Sequence, residues 1–417
     1  MPKINNNVLF LIIFTSYSYI FFLFFKLHLK PNNFVNLKPI NDDSNDATTG
    51  KLFKISKIRN ASNIKKKFEH YTVKELTKCK SSNWAVTTSI NYPTRALLQI
   101  SMFKEICLVI VGDKKSPSNF SINSARAIYL PVSVQKQLPY KIIEILPLNN
   151  FARKIIGYLY AIQHGASQIY DFDDDNILIN NNVNEIFEHK KMRLIISNDL
   201  VFNAYRFFQK EKETYIWPRG YPLELIKNKQ EFDIQDKKNI NNHVQVIQFL
   251  QNENPDLDAI YRLTQKIPST FRKDYNQCIA INNYCPFNSQ STLFSYDSFP
   301  LLLLPMTVNG RVSDIWRSYI LEKILSVNGN FVSFCPSIVE HLRNPHSLLK
   351  DFNAELPLYT QSNELIQFLK KLQIDKSFDL ALEQIYIALY ENNILQIDDL
   401  ELVSRWLFDL KTIGFNF

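Results

Sequence analysis

Six consecutive apolar residues, Ile106-Cys-Leu-Val-Ile-Val111, stop abruptly at Gly112-Asp113, and this run limits the fold more than any other part of the chain. A strand with one wet face alternates apolar and polar side chains. A strand covered on both faces is apolar throughout, the habit of parallel sheets sandwiched between helices. The neighbouring segments agree. Ser82-Asn-Trp-Ala-Val-Thr-Thr-Ser-Ile90 reads as a strand, and Pro93-Thr-Arg95 opens a helix running to about Lys104. Ala152 to His164 is helical: Ile155, Leu159 and Ile162 share a face and Gly165 sits at the C-cap. Another strand follows at once. Strand, helix, strand, helix, strand with short links specifies an α/β fold with a mostly parallel sheet.

Further on, Lys227 to His243 is polar and reads as a surface loop, whereas Ser295 to Pro305 is strongly apolar but too short to cross a membrane. After Glu364 the apolar spacing becomes helical, with Leu365, Phe368 and Leu372, then Leu382, Ile385 and Leu389, then Val403, Leu407 and Leu410. Residues 351–417 therefore form a helical tail.

Ligands of such sheets sit beyond the carboxyl ends of the strands. The run Ile169-Tyr-Asp-Phe-Asp-Asp-Asp-Asn176 sets Asp171, Asp173, Asp174 and Asp175 at one of those ends. Alternation along a strand puts Asp171 and Asp173 on the same side, where they can share one hard cation, Mn²⁺ or Mg²⁺. Thr88, Asp113 and Lys114 fall near other strand ends, and Arg153 and Lys154 open the Ala152 helix where a diphosphate would lie. With only eight glycines the chain has no Gly-x-Gly-x-x-Gly and no Walker loop. A phosphate handler here needs a metal and cationic side chains instead of a glycine cradle. Two rival readings of the acidic run exist. Asp171, Asp173 and Asp175 match the first three positions of an EF-hand, yet the sixth is Asn176 instead of glycine and the twelfth Asn182 instead of glutamate. The run also serves as a plain solvated turn in the third reading.

Asp314 is a candidate base for deprotonating an acceptor hydroxyl. Its competing account is helical: Ser313 as N-cap and Asp314 in the first turn, favouring the dipole. Trp217 and Trp316 read as core, and Arg219 and Arg311 either bind phosphate or pair with carboxylates. No serine or cysteine nucleophile constellation is present.

Val8 to Phe25 is an uncharged apolar run that would rise roughly 27 Å as a helix, close to the ~30 Å hydrocarbon core. No Ala-x-Ala cleavage site follows it, so residues 8–29 read as an uncleaved signal anchor after a cytosolic leader, residues 1–7. Residues 30–80, polar and lysine-rich, read as a stem. The lysines flanking the apolar run are indecisive about orientation. Two sequons, Asn60-Ala-Ser62 and Asn119-Phe-Ser121, favour a lumenal glycoprotein. The net charge of +8 lies largely before residue 80, and no basic-aromatic pattern points to nucleic acid. The five cysteines lack zinc spacing. Cys278 and Cys285 are near enough in sequence to pair, which by itself establishes no bond.

Several ordered stretches resemble the STELLO family of Golgi glycosyltransferase-like proteins: Asn83-Trp-Ala-Val-Thr-Thr88, Cys107-Leu-Val-Ile-Val-Gly-Asp-Lys-Lys115, Ala152 through Ala166, and the acidic run. Trp217-Pro-Arg-Gly-Tyr-Pro-Leu223, Pro255-Asp-Leu-Asp-Ala-Ile-Tyr-Arg-Leu-Thr264, Pro286-Phe-Asn-Ser-Gln290 and Gly310-Arg-Val-Ser-Asp-Ile-Trp-Arg-Ser-Tyr319 continue the series. The resemblance implies a GT-A-like nucleotide-sugar-binding domain over residues 81–350 of a type II Golgi membrane protein. It implies a nucleotide-sugar donor, a glycan or glycoprotein acceptor, and transfer in the Golgi lumen. Asp171, Asp173 and Asp174 are the matching acidic positions and Asp175 is extra. A late histidine, His346, is a candidate third metal ligand by analogy with GT-A enzymes, or a plain surface histidine. A GT-A-like scaffold that organises other Golgi enzymes without turnover is the alternative.

Overall fold

The computed structural model describes residues 79–188, 190–209, 215–267, 271, 277–343 and 347–417. The anchor at Val8 to Phe25, the stem up to residue 78, the Asn60 sequon and His346 lie outside these residues. Among the described residues no helix is long and apolar enough to cross a membrane.

The strands are β1 (Asn83–Ser89), β2 (Ile106–Gly112), β3 (Ala127–Leu130), β4 (Gln168–Phe172), β5 (Asn176–Leu178), β6 (Met192–Ile196), β7 (Asp233–Gln235), β8 (Val244–Asn252), β9 (Cys278–Ile281), β10 (Ser291–Ser295) and β11 (Phe331–His341). They form one sheet in the order β3-β2-β1-β4-β10-β8-β11-β9-β6-β7, with β5 on β11. The predicted α/β layering and its parallel strands are present. β3, β2, β1 and β4 run parallel, as do β8 with β11 and β6 with β9. β10 enters antiparallel between β4 and β8. All of β2 is buried, as its apolar run requires.

The longer helices are α1 (Arg95–Ser101), α2 (Lys154–Gln163), α3 (Gly310–Val327), α4 (Leu348–Ala354), α5 (Leu356–Lys371), α6 (Phe378–Glu391) and α7 (Ile397–Thr412). Thr94 caps α1 by accepting from the Leu97 amide. α2 lies so close to the sheet that a Cβ on Gly157 would meet Val86 Cγ1 at 2.5 Å and Val111 Cγ2 at 2.8 Å. Only glycine permits that approach. Alternate residues of β1 and β2 feed two cores, with Trp84, Val86 and Val109 on the α2 side and Ala85, Leu108 and Ile110 on the other.

The carboxyl-terminal helices complete the first of those cores. Trp406 Nε1 donates to the Pro300 carbonyl at 2.8 Å. Asp399 accepts from the Met306 amide at 2.8 Å, and Asp409 accepts from the amides of Lys141 and Ile142 at 2.8 and 2.9 Å. The apolar Ser295–Pro305 stretch is thus interior packing, largely a 3-10 helix over Tyr296–Leu302. The polar stretch from Lys227 is mostly exposed but carries the short edge strand β7. Cys278 bonds to Cys335, across β9 and β11, and Cys79 bonds to Cys107. Cys285 is a buried free thiol, so the sequence neighbours Cys278 and Cys285 do not pair.

Candidate active site

The acidic run straddles the end of β4. Asp171 is inside the strand, and Asp173, Asp174 and Asp175 occupy the turn before β5. Three other segments meet it. From β1, the Ser89 hydroxyl donates to the Asp174 carboxylate at 2.5 Å, joined by the Asn91 amide at 3.2 Å. Behind β2, the Ser116 hydroxyl donates to the Ser89 carbonyl at 2.6 Å, and Asp113 accepts from the Asn149 amide at 2.8 Å. At the start of α2, the Lys154 ammonium stands 2.6 Å from Asp171 and 3.3 Å from Asp173 and donates to the Ser289 carbonyl at 3.0 Å. The end of β1 and the start of α2 thus touch the acidic run directly, and the segment after β2 braces the end of β1.

The cation that stands between Asp171 and Asp173 in this structure is the Lys154 ammonium, not a metal ion. The two aspartates differ in surroundings. Asp171 is fully buried, with Lys154 on one oxygen and Arg317 of α3 at 3.1 Å on the other. A metal on Asp171 would have to displace one of those cations. The Asp173 side chain keeps 32% of its surface and that of Asp175 keeps 19%. Burial raises the Asp173 pKa; Lys154 counters this, while Asp175, Asp171 and Asp174 add to it. Burial likewise holds Asp174 above the usual carboxylate range, against the hydrogen bonds from Ser89 and Asn91. Three carboxylates at a rim with one ammonium between them make a local surplus of negative charge, which favours a cation.

A second set of buried charges fixes the loop Cys285–Gln290 against this rim. Arg219 forks onto Asp256 at 2.8–3.1 Å and onto Asp314 at 2.9–3.1 Å. Asp256 accepts the Asn288 side-chain amide at 2.8 Å, and Asp314 accepts the Ser289 backbone amide at 3.2 Å. Burial opposes ionisation of Asp256, but the Arg219 charge and hydrogen bonds outweigh it and hold the carboxyl well below its ordinary range.

The remaining expected site residues divide clearly. Lys154 faces the acidic run. Arg153 points away, donating to the Leu146 carbonyl at 3.0 Å and to Gln135, so its guanidinium holds a loop. Asp113 pins its own turn through the Lys114 and Asn149 amides, Lys114 is exposed, and Thr88 is half-buried at the end of β1. Asp314 is buried on Arg219. Helix α3 begins at Gly310 with Asn309 as its N-cap, so Ser313 is not the cap and Asp314 lies past the first turn. Arg311 pairs with Glu355, which settles both arginines as carboxylate partners. Trp217 and Trp316 are core residues, as expected.

Sequence reasoning passed over His341. It ends β11 with Nε2 3.3 Å from Asp175 and Nδ1 2.6 Å from the Asn254 carbonyl. Gln290 and Asn176 lie beside it. No spacing pattern links them to His341: the pairing of β5 with β11 sets Asn176 opposite it, and the pairing of β4 with β10 sets Gln290 beside the acidic run.

The family description "STELLO glycosyltransferases" matches residues 311–417, which is α3 onward. Two curated Arabidopsis thaliana proteins, described as "Probable glycosyltransferase STELLO1" and "Probable glycosyltransferase STELLO2", are each 28% identical over 81% of this chain. The chain spans 45% and 46% of their lengths, less than half of each. Among solved structures, glucosyl-3-phosphoglycerate synthase from Mycobacterium tuberculosis, in complex with phosphoglyceric acid, aligns over 72% of this chain and 83% of its own. Its sequence identity is 11% and its TM-score 0.33, too loose a superposition to inform the site. The resemblance carried by the motifs between residues 80 and 350 thus extends through the carboxyl-terminal helices, and the chain is similar to the STELLO glycosyltransferases over most of its length.

Proposed function

We propose that this chain transfers a glycosyl group from a nucleotide-sugar donor to a glycan or glycoprotein acceptor, with Mn²⁺ or Mg²⁺ at Asp173 and Asp175. The observation that carries the reading is the cluster of carboxylates at the carboxyl edge of β1, β2 and β4, where open α/β sheets take their ligands. The similarity to the STELLO glycosyltransferases supports the same reaction class. The donor set fits a hard ion. Asp173 and Asp175 offer oxygen atoms on partly open faces, and Asp171 already carries two cations. Among the described residues no three of His, Cys, Asp and Glu stand together as a metal cage, so phosphate oxygens and water complete such a site. A bound ion there would supply charge neutralisation for the departing nucleotide diphosphate.

The chain's own residues hold the rim in place. Lys154 fixes Asp173 from below, Ser89 and Asn91 fix Asp174, and His341 flanks Asp175. Thr88, Asp113 and Lys114, at the ends of β1 and β2, face the nucleoside. Asp314 acts as a positioning residue, because its carboxylate orients Arg219 and the Ser289 amide. Two disulfides and the Asn119-Phe-Ser121 sequon, whose Asn119 and Ser121 are exposed, support a lumenal body in the secretory pathway. Residues 8–29 anchor it, type II, in the Golgi membrane.

The test is release of UDP from UDP-sugars by the purified chain with Mn²⁺. Asp173→Asn/Asp175→Asn abolishes it while the melting temperature holds. Turnover undiminished in that variant removes the mechanism. A non-catalytic GT-A-like scaffold is favoured by one observation, the commitment of Asp171 to Lys154 and Arg317. A scaffold restores function in cells lacking the protein even when it carries the same double substitution.

A further inference from the structure

We infer that Gln290, Asn176 and Asp175 form a hydroxyl-reading site for the uncharged sugar ring of the donor, on the β5–β11 side of the acidic run. The inference rests on the donor reading above and specifies its other half. Sheet order supplies the direction. β1 and β2 lie on one side of β4, whereas β5 and β11 lie beyond β10 and β8 on the other. A nucleoside over β1 and β2 and a diphosphate at the rim leave the third part of the donor to fall toward β11.

The side chains at that end are built as a reader. Asn176 is 2% exposed and Gln290 8% exposed, and Asn176 Oδ1 and Gln290 Oε1 have no hydrogen-bond partner. Buried amide oxygens are seldom left unpaired, and those that are call for a group to complete them. Both side chains are aimed by their other atoms. Asn176 Nδ2 reaches Asp175 Oδ1 and the Asp173 carbonyl, each at 3.5 Å. The Gln290 amide nitrogen lies 3.2 Å from the His341 ring nitrogens. The Gln290 main chain is held on both sides, its amide on Asn288 Oδ1 at 3.0 Å and its carbonyl receiving the Asp173 amide at 3.3 Å. Asn288 and Ser289 are in turn locked by Asp256, Asp314 and Lys154. The loop therefore presents Gln290 in one position relative to the acidic turn.

The occupant follows from the chemistry. Two unpaired amide oxygens and a carboxylate are all acceptors, so the ligand must donate several hydrogens. Phosphate oxygens only accept and have no hydrogen to give. A sugar ring carries neighbouring hydroxyls that donate to each acceptor in turn, and it needs no counter-charge.

Isothermal titration calorimetry on the full-length chain with Mn²⁺ tests this, using UDP, UDP-glucose, UDP-galactose, GDP and GDP-mannose as probes. The wild type binds at least one sugar nucleotide more tightly than the matching bare nucleotide. Gln290→Leu and Asn176→Leu each weaken that sugar nucleotide about tenfold, the effect of one lost hydrogen bond, and leave the bare nucleotide unchanged. Should Gln290→Leu fail to fold, Gln290→Asn, which withdraws the amide by one methylene, carries the same expectation. Equal weakening of bare and sugar nucleotides, or none, overturns the hydroxyl-reading site while the donor reading stands. Failure of the wild type to bind any probe overturns both.

Discussion

Neutralising the buried member of the acidic run costs stability, whereas neutralising its neighbour at the rim does not. Charge counting within the site gives the order. Asp171 is one carboxylate between two enclosed cations, Lys154 and Arg317. Asp171→Asn leaves Arg317 without a carboxylate and Lys154 with only the partly exposed Asp173. Breaking a buried pair from one side costs about 3–5 kcal/mol. Lys154→Met leaves Asp171 with Arg317, a balanced pair, and costs less, about 2 kcal/mol for the unmet hydrogen bonds. Asp173→Asn relieves repulsion from three neighbouring carboxylates and is near neutral. At about 2 °C per kcal/mol for a chain of this size, melting by circular dichroism falls about 6–10 °C in Asp171→Asn and about 4 °C in Lys154→Met. Asp173→Asn stays within about 1 °C of wild type. An Asp171→Asn chain that melts with the wild type would show that this carboxylate is not committed to the interior, and the assignment of the rim pair would fall with it.

Other consequences can be measured on the same material. Arg219→Met strands Asp256 and Asp314 in the interior and lowers stability by about 3–5 kcal/mol. The triple variant with Asp256→Asn and Asp314→Asn recovers most of that loss in chemical denaturation, and no recovery would refute the charge argument. Removing the Cys278–Cys335 bond, which links positions 57 residues apart, by Cys278→Ser/Cys335→Ser costs about 2–4 kcal/mol in the same experiment. An unchanged midpoint counts against the bond. Burial pushes the Asp409 carboxyl up to about 7, with the Ile142 and Lys141 amides and Arg405 only partly opposing, and pushes Asp258 up to about 6. In the folded chain these groups keep protons that the unfolded chain releases near 3.8, so stability falls as pH rises from about 4 to about 7. Each proton contributes at most about 1.4 kcal/mol per pH unit. Asp409→Asn flattens the melting-temperature profile between pH 5 and 7, and an identical slope would contradict the assignment.

How far the sequence reached depends on the range of the interactions involved. β1, β2, α1, α2 and the strand under the acidic run are declared by local pattern, and each stands within a few residues of where the pattern places it. Gly165, at φ 88°, ends α2 as a cap glycine should. The roles inside the site are another matter. Asp171 and Asp173 both reach the Lys154 ammonium, and the partner that removes Asp171 from solvent, Arg317, lies 146 positions away. No local pattern announces it. Ser313 is a plausible cap residue that loses to Asn309, because α3 starts one turn earlier and turns Asp314 toward Arg219. His341 flanks the rim because β11 carries it past the start of β5.

The central claim is that a divalent ion and a nucleotide's phosphates meet at Asp173 and Asp175. Electron paramagnetic resonance of Mn²⁺ titrated into the purified chain, with and without UDP, addresses it directly. The account predicts that UDP causes the chain to take up Mn²⁺ and that Asp173→Asn/Asp175→Asn, still folded, leaves the ion free in solution. Equal uptake by the double variant would contradict it.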